Sequence, residues 1–195
     1  MITLGIDIGG SATKGALVDT ETGKMVSERV RFETEALVKP REVAALVEKI
    51  RKKLGYHGMI GAGYPGVVKK GVAITAANLH KNWIGTDVAA LIFNQTGQIT
   101  TVLNDADAAG LAEMRFGVEE ARLYKTMLFL TVGTGIGSAL FVDGHLLPNT
   151  ELGHLKIRGK DAEHRASDAV RQRDGLSWKK WGKHFTEVLQ TYEFL

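Results

Sequence analysis

Acidic, hydroxyl and basic side chains meet a pair of glycines near the start of the chain. Asp7 ends an apolar, β-branched run and is followed by Gly9 and Gly10. The polar residues beyond the pair are Ser11, Thr13 and Lys14. Glycine lets backbone N–H groups approach phosphate oxygens, hydroxyl and ammonium groups add donors, and a carboxylate can hold Mg²⁺ through water. The pattern predicts a phosphate-binding loop with Asp7 as its metal ligand, or alternatively a tight β-turn with incidental polar residues.

A second glycine turn between two apolar runs lies later in the chain. It consists of Gly133, Thr134 and Gly135, again with hydroxyl side chains nearby. The same phosphate chemistry applies here, and a plain hairpin with a glycine turn is the alternative. Two such loops in one chain favour two sides of one phosphate-binding cleft.

The pair Asn104 and Asp105 follows another apolar run. A carboxylate at the end of a strand is well placed to take a proton from a bound hydroxyl group. The alternative is that Asp105 caps the helix predicted to follow it, and both roles are compatible because a cap also holds the carboxylate in place.

Acidic and imidazole groups recur in a later polar segment, as Glu151, His154 and Glu163. Such groups can bracket a polyol by hydrogen bonding, and surface polar residues on a loop are the alternative. A zinc site needs three or four ligands, and this chain has no cysteine to supply thiolates. We therefore expect no zinc.

Two further patterns have weaker chemical meaning. Residues 61–66 match G-x-G-x-x-G, but Pro65 and the apolar pair after it indicate a loop and strand, not the helix that a dinucleotide site requires. Trp178 and Trp181 are interleaved with lysines, which is typical of polyanion binding. A spacing of three residues is also typical of the packing face of an amphipathic helix.

Composition limits what these groups can belong to. The chain has 195 residues, of which 44% are hydrophobic and 24% charged, a balance that excludes a disordered protein. No apolar run is long enough to span a membrane, and the first residues lack the basic region of a signal peptide. The absence of cysteine excludes disulfides. We therefore expect a cytoplasmic protein that does not act at a membrane.

The net charge of +3 is unevenly distributed. Residues 156–195 contain nine Lys or Arg and six Asp or Glu, whereas residues 1–155 contain 16 of each. A local excess of positive charge attracts polyanions, and a solvated helix face is the alternative explanation.

Alternating strands and helices must position these groups. Strands are predicted at residues 2–9, 16–18, 25–32, 59–62, 72–75, 99–103, 126–132 and 138–142. Helical periodicity begins at Pro40, resumes after the capping residue Asp87 and again over 106–116, and continues from residue 156 to the end. Asp143 and Gly144 predict a tight hairpin turn. The order of elements indicates an α/β fold.

Taken in order, these motifs resemble the ROK family of sugar kinases, in the actin-like, ribonuclease-H-like ATPase superfamily. The segments that carry the resemblance are DIGGSATK, GYPGVV, LNDADAAGLAE, LTVGTGIGSALFVDG and ELGHLKIRGKDAEHRAS. Within the family, the chain is most similar to the polyphosphate glucokinase group. The resemblance implies an α/β fold of two lobes around a cleft, with an N-terminal lobe over 1–105 and a C-terminal lobe over 106–195.

The resemblance also implies roles for individual residues. Asp105 matches the catalytic base that receives the proton of the sugar 6-hydroxyl group. The sugar-binding matches are Gly66, Asn78, Asn104, Glu151, His154 and Glu163. The phosphate-binding matches are Asp7, Gly9, Gly10, Ser11, Lys14, Thr134 and Gly135. The implied reaction transfers a phosphoryl group from inorganic polyphosphate or ATP to glucose with Mg²⁺, in a homodimer that binds no nucleic acid.

The chain departs from the family pattern at two points. Many members carry a cysteine-rich zinc motif after ELGH, where this chain has a basic segment, as in the polyphosphate group. Members also continue past this point with a strand and a glycine-rich motif, so we expect the second lobe to be incomplete. An inactive sugar-binding fragment, or a kinase for another hexose such as mannose or N-acetylmannosamine, therefore remains an alternative.

Overall fold

The computed structural model describes residues 1–76, 79–117 and 119–194, and it divides into two compact units, Met1–Glu119 and Glu120–Leu195. The strands of the first unit are β1 (Ile2–Ile8), β2 (Ala12–Asp19), β3 (Val30–Glu33), β4 (Ile60–Tyr64), β5 (Val68–Lys69), β6 (Val72–Ala73) and β7 (Thr100–Asn104). Its helices are α1 (Pro40–Lys53), α2 (Val88–Thr96), α3 (Asp105–Phe116) and a 3₁₀ turn, Lys81–Trp83.

Five strands of the first unit form one sheet in the order β3-β2-β1-β4-β7. The first three strands are antiparallel, as predicted, whereas β4 pairs in parallel with β1 and β7 pairs in parallel with β4. Parallel neighbours need crossover connections, which α1 and α2 supply. The carboxyl ends of β1, β4 and β7 therefore meet at one edge, where Asp7, Tyr64 and Asn104 lie.

Alternation along β1 separates the core from the site. Leu4, Ile6 and Ile8 are buried, whereas Asp7 between them is exposed. The apolar stripe of α1, including Val47 and Ile50, is fully buried in the same core. A strand with period two and a helix with period 3.6 each present one apolar face, so their packing leaves the polar end of β1 accessible.

The predicted ends of the helices are confirmed. Pro40 is the first residue of α1, where its missing N–H is not needed. The Asp87 side chain accepts a hydrogen bond from Ala90 N at 2.8 Å and caps α2, which ends at the left-handed residue Gly97. The boundary between the units lies after α3, because α3 packs on β4 and β7. It differs from the predicted boundary at residue 105 by one helix.

The second unit has a three-stranded antiparallel sheet in the order β10-β9-β8. Its strands are β8 (Thr126–Val132), β9 (Ile136–Val142), β10 (His145–Leu147), β11 (Lys156–Ile157) and β12 (Lys160–Asp161). Its helices are α4 (Glu163–Ala166), α5 (Asp168–Arg173) and α6 (Trp178–Phe194), and 3₁₀ turns span Glu119–Leu123 and Leu152–His154. The predicted hairpin at Asp143 and Gly144 joins β9 to β10, with both residues at positive φ.

The segment after Leu155 differs from the all-helical prediction. A small hairpin of β11 and β12 precedes the helices, and it turns at Arg158 and Gly159, both at positive φ. Two positive φ values match the tight turn that joins short antiparallel strands. In α6, Trp181 stacks on Phe185 with ring centroids 5.0 Å apart and donates from Nε1 to Ala166 O at 2.9 Å. Trp181 therefore has the packing role that its spacing allowed.

Candidate active site

A cavity of about 490 Å³ opens on the first sheet, and Asp7, Lys14 and Asp105 all line it. Its walls come from β1, β2, β4, β7 and the start of α3. Gly61 and Gly63 are part of the lining, and their lack of side chains leaves room above the strands. The structure thus brings together the predicted metal ligand, the predicted phosphate-binding cation and the predicted base.

Asp7 and Lys14 face each other across the β1–β2 pair. They are register partners, and Lys14 Nζ donates to Asp7 Oδ2 at 2.9 Å. Neither side chain is buried, since 54% of Asp7 and 28% of Lys14 is exposed. Thr13 lies on the opposite face of β2 and is completely buried, because side chains alternate along a strand. Thr13 is therefore not the hydroxyl donor that its place in the motif indicated.

Asp105 is the first residue of α3 and has an unusual environment. Its Oδ1 accepts a hydrogen bond from Ala106 N at 2.8 Å, which orients the carboxylate. Burial raises the pKa of Asp105 above its usual value, and the nearby negative charge of Asp7 adds to the increase. A Cβ built at Gly63 would lie in ordinary van der Waals contact with Asp105, 3.5 Å from its Cα, so the start of the helix lies directly beside β4.

Asn104, not Asp105, is the capping residue of α3. Its Oδ1 accepts from Asp107 N at 3.0 Å, and its Nδ2 donates to Gly66 O at 3.1 Å. Asn104 is only 3% exposed, so these bonds are shielded from water. One buried amide thus joins the loop after β4 to the first turn of α3, the helix that begins with Asp105. Sequence reasoning treated Asn104 only as a sugar ligand and missed this role.

The first glycine loop is a closed turn. Gly9 N donates to Ala12 O at 3.0 Å, and the turn is fastened to the chain after β3 by Thr34, which donates to Ser11 O and Gly10 O. Ser11 is exposed, and both glycines are partly exposed. The predicted loop residues are therefore accessible on a turn of fixed shape.

The second glycine loop contacts the predicted sugar-binding segment. Thr134 is exposed, and Gly133 N donates to Gly135 O at 3.0 Å to close the turn. Glu163 Oε2 accepts from Ile136 N at 3.3 Å, and a Cβ on Gly135 would overlap that same carboxylate oxygen. Gly135 is thus required by the position of Glu163, a relation that the sequence did not indicate.

Acidic groups surround the imidazole of His154. Its Nδ1 lies 3.3 Å from Asp161 Oδ2 and 3.7 Å from Glu163 Oε1, and its Nε2 lies 3.7 Å from Glu151 Oε2. The structure therefore brings together the three predicted residues of this segment. The His154 side chain is 48% exposed and Glu163 21%, so the cluster is accessible from one side.

Asp161 is the member of this cluster that sequence reasoning missed. It also pairs with Lys156, its neighbour across the β11–β12 hairpin, and the Lys156 hydrogen bond lowers the pKa of Asp161, with a smaller contribution from His154. The Arg158–Gly159 turn is the sequence signal that could have placed Asp161 opposite Lys156. Donor atoms of His154, Asp161 and Glu163 lie within 4.8 Å of one another, which is compatible with a metal ion.

Two other predictions concern the G-x-G-x-x-G segment and Asn78. The G-x-G-x-x-G segment forms β4 and the loop to β5, so the predicted absence of a following helix is confirmed. Asn78, predicted to bind sugar, lies outside the described residues. Among the described residues, we find no helix of the length and apolarity that a membrane crossing requires.

Comparison with known proteins places this geometry in a family. The model of the ROK family matches residues 3–168. A polyphosphate glucokinase of Mycobacterium tuberculosis is 45% identical over 190 residues, which cover 97% of this chain and 71% of that protein. A polyphosphate glucokinase of Mycobacterium leprae is 44% identical over 97% of this chain and 58% of its own length.

Solved structures agree with the sequence comparison. The inorganic polyphosphate/ATP-glucomannokinase of Arthrobacter sp. strain KM has a TM-score of 0.92 at 43% identity, over 99% of this chain and 79% of that one. A ROK family glucokinase of Streptomyces griseus, in complex with glucose and AMPPNP, has a TM-score of 0.76 at 22% identity, over 89% and 59%. The predicted α/β, actin-like fold is confirmed, and the chain belongs to the ROK family.

Proposed function

We propose that this chain is a glucokinase that transfers a phosphoryl group from inorganic polyphosphate or ATP to the 6-hydroxyl group of glucose. The observation that carries the proposal is the meeting of Asp7, Lys14 and Asp105 in one cavity, in a chain 45% identical to a polyphosphate glucokinase. Those three groups are what phosphoryl transfer to an alcohol needs: a base, a cation and a carboxylate suited to a divalent metal.

Asp105 acts as the base in this proposal. The oxygen of the sugar 6-hydroxyl attacks phosphorus, its proton passes to the Asp105 carboxylate, and the phosphate chain left behind carries away the electron pair of the broken bond. Burial raises the pKa of Asp105, which makes its carboxylate a stronger proton acceptor, and the bond from Ala106 N fixes its orientation. General base catalysis of this kind contributes about 10²–10⁴ in rate.

The glycine turns and Lys14 bind the phosphates in this proposal. The partly exposed backbone at Gly10, the Ser11 hydroxyl, and Thr134 with Gly135 supply donors without steric hindrance, whereas Gly9 shapes the turn because its N–H already donates to Ala12 O. Asp7 suits Mg²⁺ because its carboxylate is partly exposed. It also lies close enough to Asp105 for the two negative charges to repel each other, and a divalent cation would offset that repulsion. When bound, Mg²⁺ would neutralise charge on the transferred group.

Glu151, His154 and Glu163 bind the sugar hydroxyls in this proposal, and Asp161 holds the His154 ring. A carboxylate accepts hydrogen bonds from hydroxyl groups, and an imidazole can donate or accept, so the cluster suits a polyol. We further propose that the enzyme is a cytoplasmic homodimer whose partners are these substrates, with no zinc, nucleic acid or membrane involved.

The test is a coupled assay of glucose 6-phosphate formation with polyphosphate and with ATP. Mannose and N-acetylmannosamine are the comparison acceptors. Asp105→Asn should lower the rate at least 10²-fold with either donor, because it removes the proton acceptor. Asp143→Asn, at an exposed hairpin turn, removes one charge elsewhere and should keep the rate. Full activity of Asp105→Asn would show that another group is the base.

A further inference from the structure

Ion pairing in the C-terminal part of the chain divides its basic residues into two groups. Within residues 156–194, which the structure describes, four carboxylates hold five of the nine cations, and the pairs are Lys156–Asp161, Arg158–Glu187, Arg165–Glu187, Arg171–Asp168 and Arg173–Asp174. The basic segment that follows ELGH is therefore largely neutralised by its own neighbours. The uncompensated charge must lie elsewhere.

That charge lies on the first turns of α6. Lys179, Lys180 and Lys183 are exposed, and none has a carboxylate within ion-pair distance in the part of the chain that the structure describes. No acidic residue occupies the first turn of this helix. Cations in the first turn of a helix are unfavourable, because the helix dipole is positive there. Lys179 and Lys180 thus lie where they destabilise their own helix.

Other cations extend this patch. Asp174 is paired with Arg173 at 2.7 Å, and its pKa is lowered first by that hydrogen bond, with Lys160 and His184 contributing through their charge. Lys180 lies one helical turn from His184, so Lys160 and this part of α6 are both close enough to Asp174 to affect it through charge. We define the basic surface as Lys160, Lys179, Lys180 and Lys183, together with the Arg173–Asp174 ion pair at its edge.

The basic surface is connected to the second glycine loop through α5. Ala169 N, at the start of α5, donates to Gly133 O in that loop at 3.1 Å. The helix has six residues and ends at Arg173, which lies at the edge of the basic surface. Six residues span about 9 Å. A chain of phosphates that begins at the loop can therefore reach the basic surface within the same unit.

We propose that the basic surface binds the distal part of an inorganic polyphosphate chain whose terminal phosphates occupy the glycine loop. This inference rests on the proposed function. Lysine is a point charge on a flexible stem and suits a polyanion with no fixed pattern of acceptors. ATP carries only three phosphates before its nucleoside, so the basic surface distinguishes a long donor from a short one.

Aromatic packing favours polyphosphate over a nucleic acid at this surface. Single-stranded nucleic acids bind through free aromatic faces on which bases stack. Trp181 is already stacked on Phe185, and the Arg171 guanidinium covers Trp178 at 4.0 Å from the ring centroid. Arg171 is itself held by Asp168 at 2.7 Å. Trp181 is thus engaged within the protein, and the Arg171 guanidinium covers one face of Trp178, a residue that is 66% exposed.

The test compares two triple variants of the 195-residue chain. Lys179→Gln, Lys180→Gln and Lys183→Gln are combined in the first variant. The control combines Lys24→Gln, Lys49→Gln and Lys53→Gln, which are exposed in the first unit and carry the same total charge. Titration calorimetry measures the affinity for long-chain polyphosphate, tripolyphosphate, ATP and single-stranded DNA at several salt concentrations, and the coupled assay measures glucose phosphorylation in parallel.

We expect the α6 variant to bind long-chain polyphosphate about tenfold more weakly at low salt, because it loses three exposed charge contacts, each of them individually weak. Its binding should also depend less on salt: the negative slope of log K against log salt concentration should become shallower by about two. Its affinity for ATP and tripolyphosphate should stay unchanged, as should every affinity of the control. Unchanged binding of long polyphosphate, an equal loss for ATP, or tighter binding of DNA than of polyphosphate would each overturn the inference.

These measurements distinguish failure of the proposed function from failure of the proposal for the basic surface. If lysine-dependent binding of long polyphosphate occurs without formation of glucose 6-phosphate, the basic surface stands and the proposed function fails. If glucose 6-phosphate forms from polyphosphate and the α6 variant binds and uses the long chain as well as the control does, the proposed function stands and the basic surface is refuted.

Discussion

Replacing Gly135 by alanine should displace the carboxylate of Glu163. A Cβ built on Gly135 overlaps Glu163 Oε2, the same oxygen that accepts the hydrogen bond from Ile136 N at 3.3 Å. The obstructing atom is the end of a flexible side chain, so Glu163 can swing away, and the backbone need not move. The replacement therefore removes one hydrogen bond and leaves the loop otherwise intact.

The size of the effect follows from the atoms involved. Ile136 is 4% exposed, so its N–H would lose its partner in a shielded position. An unsatisfied buried donor costs about 1–3 kcal/mol, and we expect the lower half of that range because the bond is long. Gly133→Ala is the matched control: a Cβ there meets nothing within 4 Å, and its effect should be within about 0.5 kcal/mol. Gly135→Ala should also weaken glucose binding, under the proposed function, because Glu163 is turned away.

Urea unfolding followed by tryptophan fluorescence measures the change in the free energy of unfolding, since Trp178 and Trp181 both lie in the second unit. A double-mutant cycle isolates the cause. If the collision with Glu163 is responsible, Gly135→Ala should cost nothing further in a Glu163→Ala background. An equal cost in both backgrounds, or equal effects of the two glycine replacements, would refute the reasoning.

Three other predictions concern the first unit and the hairpin. Asn104→Ala should lower the free energy of unfolding by about 2 kcal/mol, because it removes the α3 cap and the bond to Gly66 O, whereas Asn104→Asp keeps the cap and should cost less in the same urea titration. The raised pKa of Asp105 means that its stabilising contribution is complete below its unfolded pKa and is lost as pH rises through the folded value. Asp105→Asn should therefore be more stable than the parent at pH 7, and the difference should disappear in acid. The lowered pKa of Asp161 has the opposite sign, so its contribution is present above its unfolded pKa and is lost as pH falls, and Asp161→Asn should flatten the acid limb of unfolding midpoints measured against pH.

Local rules predicted the elements of this protein well. The antiparallel start, the Pro40 and Asp87 helix starts and the Asp143–Gly144 turn all depend on nearest neighbours in sequence. The same rules failed after Leu155, where a hairpin of two-residue strands is too short to show alternation. Thr13 was misassigned because its motif was considered without the alternation of β2.

Side-chain partners were much less predictable than elements. The sequence showed that Asn104 and Gly66 belonged to conspicuous motifs, but it did not show that one buried amide would join them. Asp161 lies in a segment predicted to be helical and was not among the predicted site residues, but the structure places it beside His154. The Asn104–Gly66 bond joins residues far apart in the chain, and the Asp161–His154 contact depends on a hairpin too short to show alternation, so no spacing rule predicts either contact.

The sequence by itself determined the chemistry available to this protein: two glycine turns, one acid after a strand, a group of acids with an imidazole, and an excess of lysine and arginine near the C-terminus. Only the tertiary structure decided which of these groups act together. Strand pairing put Asp7 opposite Lys14, and burial raised the pKa of Asp105. Ion pairing neutralised most cations after Leu155 and left the α6 lysines exposed. The physical reason is that composition sets the charges present, whereas distance and solvent exposure set how strongly they interact.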